Sequence, residues 1–268
     1  MKPGVENLFR LDGKTALVTG AAKGLGRLFS QTLAEAGAHV ICADFDADSL
    51  RKTSEEFRAL GYEVTPMVCD VSSFDSVSGT IGAIASRFGG LNIAVNNAGI
   101  VTRPSRLHEI TLEEWDRLMA VDLTGAFLCM KEELALMITQ GEGSIVNIVS
   151  VAGIRGVAPE HKPRANYVAA KHGLVGLTKQ AALEYAREGI RVNGIAPGWF
   201  GGTDLSHERP KGEPGTEEHL DQTRNNFVPL GRKGDLKELK GLILYLVSDA
   251  SSYVTGQIFA IDGGVTAR

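Results

Sequence analysis

The stretch Thr19-Gly20-Ala21-Ala22-Lys23-Gly24-Leu25-Gly26 constrains this chain more than any other. A short apolar run, Lys14 to Thr19, leads into it, and a helical pattern from about Gly24 to Ala36 leaves it, closed by Gly37 as a C-cap. Glycines between a strand and a helix let the chain turn tightly and bring backbone N–H groups close to a phosphate at the positive end of the helix. Ordinary turns also use glycine, so the surroundings decide. The next apolar run, His39 to Ala43, ends at Asp44. A carboxylate there accepts the ribose hydroxyls of an adenine dinucleotide and repels a 2′-phosphate. Phe45 follows, where an arginine would receive that phosphate, and Lys23 inside the turn is the contrary sign. The balance favours NAD over NADP.

The alternation continues along the chain. A polar helical pattern runs from Ala47 to Leu60, and an apolar run from Glu63 to Val68 leads into Cys69-Asp70-Val71. Val77, Ile81, Ile84 and Phe88 fall on one helical face. Leu91 to Asn96 reads as strand, Thr111 to about Thr139 as one long helix, and Ser144 to Val149 as strand. A helix bearing Tyr167 and Lys171, a strand from Ile190 to Ile195, a helix from Asp235 to Val247 and a strand from Gln257 to Ile261 complete the series. Seven strands interleaved with helices, without a composition break, predict one α/β domain over residues 1–268 with a doubly wound parallel sheet of Rossmann type. The polar, aperiodic stretch from about Trp199 to Arg232 is expected to be a substrate lid, with Thr216 to Asn226 as a short helix.

Composition narrows the function. A net charge of −4 and a pI near 5.9 leave no basic footprint for nucleic acid. No apolar run approaches membrane-spanning length, and the opening Met-Lys-Pro-Gly-Val-Glu-Asn lacks the apolar core of a signal peptide, so a cytoplasmic location is expected. The three cysteines, Cys42, Cys69 and Cys129, have no metal-ligand spacing and suit a reducing compartment. No His/Cys/Asp cluster suggests a metal, and His161 reads as a solvated loop residue.

Chemistry enters with Ser150 and with Tyr167 and Lys171, which are four residues apart and so lie on one face of a helix. A phenol is a poor base at neutral pH, and a neighbouring cation favours its phenolate. Such a pair can serve as general acid and base in carbonyl–alcohol chemistry. Alone, Tyr-x-x-x-Lys is a helix-surface accident more often than a site. Asn96-Asn97-Ala98-Gly99 would close the fourth strand at the same edge of the sheet.

Together these residues resemble the short-chain dehydrogenase/reductase family over nearly the whole chain. The glycine turn resembles its T-G-x-x-x-G-x-G, and Asn96 to Gly99 its N-N-A-G. Ser150 with Tyr167 and Lys171 resembles its Ser and Y-x-x-x-K, Pro197-Gly198 its P-G, and Asp262-Gly263-Gly264 its usual ending. Any one motif is weak, but five in order are specific. The resemblance implies that Gly20, Lys23, Gly24, Leu25, Gly26, Asp44 and Phe45 line the dinucleotide. It places Asp70 and Val71 at the adenine, and Asn97, Ala98 and Gly99 at the ribose. It sets Pro197, Gly198, Phe200 and Thr203 at the nicotinamide end. Ser150 would hold the substrate oxygen, Tyr167 would exchange its proton, and Lys171 would assist Tyr167 and hold the nicotinamide ribose.

Three departures stand out. Asp122 occupies the place of the family's asparagine. The insert Pro159 to Arg164 lengthens the Ser150–Tyr167 spacing, and one extra residue precedes Thr203. The expected activity is NAD-dependent interconversion of a secondary alcohol and a ketone, on a sugar acid or polyol. The alternatives are a 3-oxoacyl thioester reductase and a non-catalytic NAD-sensing protein. Lys162, Arg164 and Arg103 near the mouth would suit a carboxylate-bearing substrate. The helix from Thr111 would, by resemblance, build a homo-oligomer, a dimer of dimers.

Overall fold

Seven parallel strands form one sheet in the order β3-β2-β1-β4-β5-β6-β7 in the computed structural model, which describes residues 4–158, 164–202 and 227–267. The strands are β1 (Thr15–Thr19), β2 (His39–Asp44), β3 (Val64–Val68), β4 (Ile93–Asn96), β5 (Gly143–Ile148), β6 (Ile190–Pro197) and β7 (Ile258–Ile261). The helices are α1 (Gly24–Glu35), α2 (Ala47–Ala59), α3 (Phe74–Phe88), α4 (Leu112–Met119), α5 (Ala126–Gln140), α6 (Ala165–Glu184) and α7 (Lys240–Val247). Successive strand residues face opposite sides, so each strand feeds two cores. Ala16, Val18, Val40 and Cys42 pack with Phe29 and Leu33 of α1 and Ile243 of α7. Leu17, Ile41 and Ala43 pack with Ile81 of α3, Leu134 of α5 and Leu174 of α6. Burial on both faces explains why the strands read as continuous apolar runs. The order reverses direction between β1 and β4, and the crevice at that switch point opens beyond the carboxyl ends of the strands.

The expected long helix from Thr111 to Thr139 is in fact two helices joined by a π-helical turn, Ala120–Gly125. Backbone angles stay in the right-handed helical region at Met119, Ala120, Gly125 and Ala126, so the apolar pattern runs on and hides the break. The widened turn carries Asp122, which is 1% exposed. The helix expected from Asp235 opens as a 3-10 turn, Leu236–Leu239, before α7 begins, with Asp235 and Glu238 forming a capping box.

Much of the expected lid, including Thr216 to Asn226, falls at 203–226, outside the described residues, as do Thr203 and the insert residues His161 and Lys162. The two ends of that stretch are pinned together. Gly201 N–H donates to the Gly234 carbonyl at 3.0 Å, and Gly234 N–H donates to the Trp199 carbonyl at 2.9 Å.

Candidate active site

The glycine turn is shaped by a close approach. A side chain on Gly26 would collide with the Gly20 carbonyl and with Asn97 Nδ2, so α1 can pass this near β4 only without a Cβ. Gly20 itself has φ +65°, the left-handed region that other residues rarely adopt. Asn97 locks the turn to β4: its Nδ2 donates to the Thr19 and Gly20 carbonyls at 3.0 and 3.2 Å. Its N–H and that of Ala98 both donate to Thr19 Oγ1, at 3.0 and 3.1 Å. Asn97 therefore holds the turn as well as lining the cleft.

Helices α2, α3 and α4 begin with side-chain caps from Asp46, Ser73 and Thr111, whereas α1 begins at Lys23 without one. An uncapped helix start leaves N–H groups and the positive end of the helix for an anion. The cleft beside it has a volume of about 590 Å³ and takes in Gly20, Lys23, Gly24, Leu25, Asp44 and Phe45 on one side. Asp70, Val71, Ala98 and Gly99 face it from the other. Asp44 is 9% exposed, and its two carboxylate oxygens accept from the N–H groups of Ala22 (2.9 Å) and Asp46 (3.0 Å), which fixes it at the cleft edge. Lys23 Nζ donates to Asp46 Oδ2 at 2.9 Å. Hydrogen bonds from Ser49 and Lys23 hold the Asp46 carboxyl well below the usual range, so this edge carries two carboxylates. Asp46 lines the cleft as well and was not among the sequence candidates. Its position as the cap of α2 was the available signal.

A smaller pocket of about 100 Å³ adjoins the cleft and brings together Ser150, Tyr167, Lys171, Asp122, Gly198 and Phe200. Pro197 lies at its wall. Ser150 stands two residues beyond the end of β5 and caps the next turn, its Oγ accepting from Ala152 N–H at 3.1 Å. Tyr167 and Lys171 share a face of α6, with the ammonium 5.5 Å from the phenol ring centroid. Lys171 Nζ donates to the Ile148 carbonyl at 3.2 Å and lies 3.2 Å from Asp122 Oδ2. Burial alone would lower the Lys171 pKa, but Asp122 and Tyr167 outweigh it and the net shift is upward. Burial pushes the Asp122 carboxyl up against the pull of Lys171. Asp122 Oδ1 accepts from Ile100 N–H at 2.7 Å, and a Cβ on Gly99 would sit 3.0 Å from its Oδ2. The carboxylate thus ties the end of the Asn97–Gly99 loop to the Tyr167 helix.

Two sequence expectations resolve differently. Arg103 does not open onto the pocket: its guanidinium pairs with Glu114 at 2.7 Å and donates to the Glu109 carbonyl. Arg164 Nε donates to the Thr102 carbonyl at 2.6 Å, joining the insert to the segment after β4. Ser144 is structural, with its hydroxyl on the Leu246 carbonyl at 3.0 Å. Asn166 escaped sequence reasoning. Fully buried, it exchanges hydrogen bonds with Thr102 Oγ1 at 3.2 Å and donates to the Glu114 carbonyl at 3.3 Å, anchoring the start of α6 beside Tyr167. Among the described residues no cluster of three His, Cys, Asp or Glu could hold a metal, and no helix is long and apolar enough to cross a membrane.

Comparison with known proteins agrees with this geometry. A family described as enoyl-(acyl carrier protein) reductase matches residues 20–266. The chain is 41% identical to a trans-4-hydroxycyclohexanecarboxylate dehydrogenase of Sinomonas cyclohexanicum, over 96% of this chain and 95% of that one. It is 39% identical to a 3-oxoacyl-[acyl-carrier-protein] reductase of Thermotoga maritima, over 96% and 99% of the two chains. Among solved structures, a gluconate 5-dehydrogenase from Burkholderia cenocepacia, in complex with NADP and tartrate, superposes with a TM-score of 0.90 at 34% identity, covering 99% of this chain and 100% of that one.

Proposed function

This chain belongs to the short-chain dehydrogenase/reductase family, NAD(P)-dependent oxidoreductases acting on alcohols and ketones, and from that premise we propose that it transfers a hydride between NAD(H) and a secondary alcohol or ketone. The observation that carries the proposal is the convergence of Ser150, Tyr167 and Lys171 in one pocket adjoining the dinucleotide cleft. A nucleotide-sensing protein has no use for that trio.

The glycine turn, the uncapped start of α1 and Asp44 fit a dinucleotide by their donors and shape. The nicotinamide, when bound, gives or takes the hydride. The Ser150 hydroxyl holds the substrate oxygen and fixes its orientation. Tyr167 delivers the proton to a carbonyl or takes it from an alcohol. Lys171 stays an ammonium at the rear of the pocket, held by the Ile148 carbonyl and the Asp122 carboxylate. Asp122 takes the place of an amide and serves as the counter-ion. The side chains that line the pocket around them (Leu25, Ile100, Val149, Phe200) are apolar and keep water out.

Asp44 and Asp46 support NAD over NADP. A 2′-phosphate brought to this edge would meet two carboxylates and a lysine already in an ion pair with one of them. For the substrate, the relatives named above favour a hydroxy acid or polyol, with the 3-oxoacyl thioester as the second reading because of the Thermotoga relative. The enzyme is further taken to be a cytoplasmic homo-oligomer, a dimer of dimers. Phe127 and Ile138 of α5 and Leu183 of α6 point outward at 45%, 44% and 80% exposure, and the three thiols are unpaired and buried. The test begins with titration by NAD⁺ and NADP⁺. Hydroxycyclohexanecarboxylates, gluconate, polyols and a 3-hydroxyacyl thioester are then screened by absorbance of the reduced cofactor. Tighter binding of NADP⁺ would overturn the cofactor assignment, and absence of turnover with every alcohol would overturn the activity.

A further inference from the structure

A wholly buried carboxylic acid lies outside the site described so far. Glu133, on the inner face of α5, accepts from Asn96 Nδ2 at 3.0 Å through Oε2, and the same Nδ2 reaches Asn147 Oδ1 at 3.1 Å. Asn147 Nδ2 donates to Thr178 Oγ1 at 2.9 Å, and Thr178 passes its own hydrogen to the Leu174 carbonyl at 2.7 Å. Glu133, Asn147 and Thr178 are 0% exposed and Asn96 is 4% exposed. The ladder crosses four elements, α5, β4, β5 and α6, and its two asparagines are register partners in the sheet.

Each rung lies just beneath a part of the active site. Asn96 is followed by Asn97, the residue that locks the glycine turn. Asn147 is followed by Ile148, whose carbonyl receives Lys171 Nζ, and then by Val149 and Ser150. Thr178 is two helical turns along α6 from Lys171, on the same face. The ladder is the floor on which these groups stand.

The chemistry of the floor requires a proton. No basic side chain lies within ion-pair distance of Glu133 among the described residues. The titratable groups coupled to it are Cys129, one turn earlier on α5, and beyond that Cys69 after β3, and neither supplies positive charge. Two oxygens in the cluster, Glu133 Oε1 and Asn96 Oδ1, are buried without a partner. Two acceptors and no donor is a deficit that a neutral carboxyl relieves, whereas ionisation adds a charge and a further acceptor. Burial pushes the Glu133 carboxyl up to about 7, with the Asn96 hydrogen bond pulling the other way.

We propose that Glu133 is a positioning residue for the hydride-transfer site: as a neutral carboxylic acid it closes the ladder that holds the ends of β4 and β5 beneath the cofactor and Ser150. It rests on the dehydrogenase reading for what the site does, not for the ladder itself. Loss of the proton in mildly alkaline solution loosens the floor, and the effect reaches Asn97–Gly99 and Ile148–Ser150 first.

The test compares the wild type with Glu133→Gln, which is neutral at every pH, and Glu133→Leu, which fills the space without polar atoms. Amide hydrogen exchange at 97–99 and 148–150 and NADH binding by fluorescence are read at about pH 6 and about pH 8.5, on either side of the carboxyl's titration. After correction for intrinsic exchange, wild-type protection of these amides should fall about tenfold between the two pH values and stay level in Glu133→Gln. NADH affinity should follow the same pattern, with Glu133→Leu weaker at both. Identical pH profiles for wild type and Glu133→Gln would overturn the proposal, whether or not Glu133→Leu folds. So would a Glu133→Leu protein with wild-type protection. Failure of every alcohol to turn over, with the exchange pattern as expected, would sink the dehydrogenase reading and leave the ladder standing.

Discussion

Asp122→Asn measures how much of the site depends on one buried charge. In the wild type, the carboxylate and the Lys171 ammonium are 3.2 Å apart with side-chain exposures of 0% and 5%. Removing one partner of such a pair typically costs about 3–5 kcal/mol, because the other charge remains buried without compensation. Asparagine keeps an oxygen for Ile100 N–H, now at 2.7 Å, so the variant isolates the charge. Asp122→Ala also orphans that donor, at a further cost of about 1–3 kcal/mol. The expected losses are therefore about 3–5 kcal/mol for Asn and about 4–8 kcal/mol for Ala, against a total of about 5–15 kcal/mol for a domain. Lys171→Met closes a double-mutant cycle with Asp122→Asn, and residues in direct contact should show a coupling of about 2 kcal/mol or more. The assay is urea unfolding at pH 7 and fixed protomer concentration, followed by circular dichroism. The Lys171 pKa is raised by folding, so its contribution is fully present below the ordinary lysine range and is lost only as pH rises through the raised value. The deficit of Asp122→Asn should accordingly persist across neutral and mildly alkaline pH. A deficit under about 1 kcal/mol, or additive effects in the cycle, would show that the pair carries no net stabilisation.

Three further outcomes are expected. Tyr167→Phe should lower turnover by about 10²–10⁴-fold while NADH fluorescence titration gives near wild-type affinity, since only the hydroxyl is removed. Asp44→Ala should weaken NAD⁺ and narrow the preference over NADP⁺, because a ribose acceptor and a repulsive charge disappear together; an unchanged preference would shift the discrimination to Asp46. Glu133→Gln should flatten the pH dependence of stability. The folded-state carboxyl titrates near 7 and its ordinary value is 4.5, so its contribution is present below 4.5 and lost as pH rises through about 7. At 1.36 kcal/mol per pKa unit, that is about 3 kcal/mol from this group, read as the urea midpoints of the two proteins diverging between acidic and alkaline buffer.

Local patterns carried the order and type of the elements. Continuous apolar runs, period-3.6 faces and glycines at the turns are properties of neighbouring residues, so Thr15–Thr19, the glycine turn, Asp44 and the pairing of Tyr167 with Lys171 on one helix could all be read without coordinates. The motif order was enough to place the glycine turn, Asp44 and the Tyr167–Lys171 pair at the same end of the sheet. The π-helical turn was hidden because it keeps helical backbone angles and disturbs only the register. Glu133 stands in Lys131-Glu132-Glu133-Leu134, which on sequence alone resembles a solvated helix face; burial against β4 and its bond to Asn96, 37 residues away, make it a core acid. Arg103 looked available to a substrate until Glu114 claimed it. Asn166 gained its meaning from Thr102, 64 residues distant. Whether a charge is solvated, paired or neutral depends on what packs against it, and those neighbours come from remote segments brought together by the sheet. Tertiary structure alone decided that, because the cost of burying a charge is set by three-dimensional surroundings that no stretch of sequence contains.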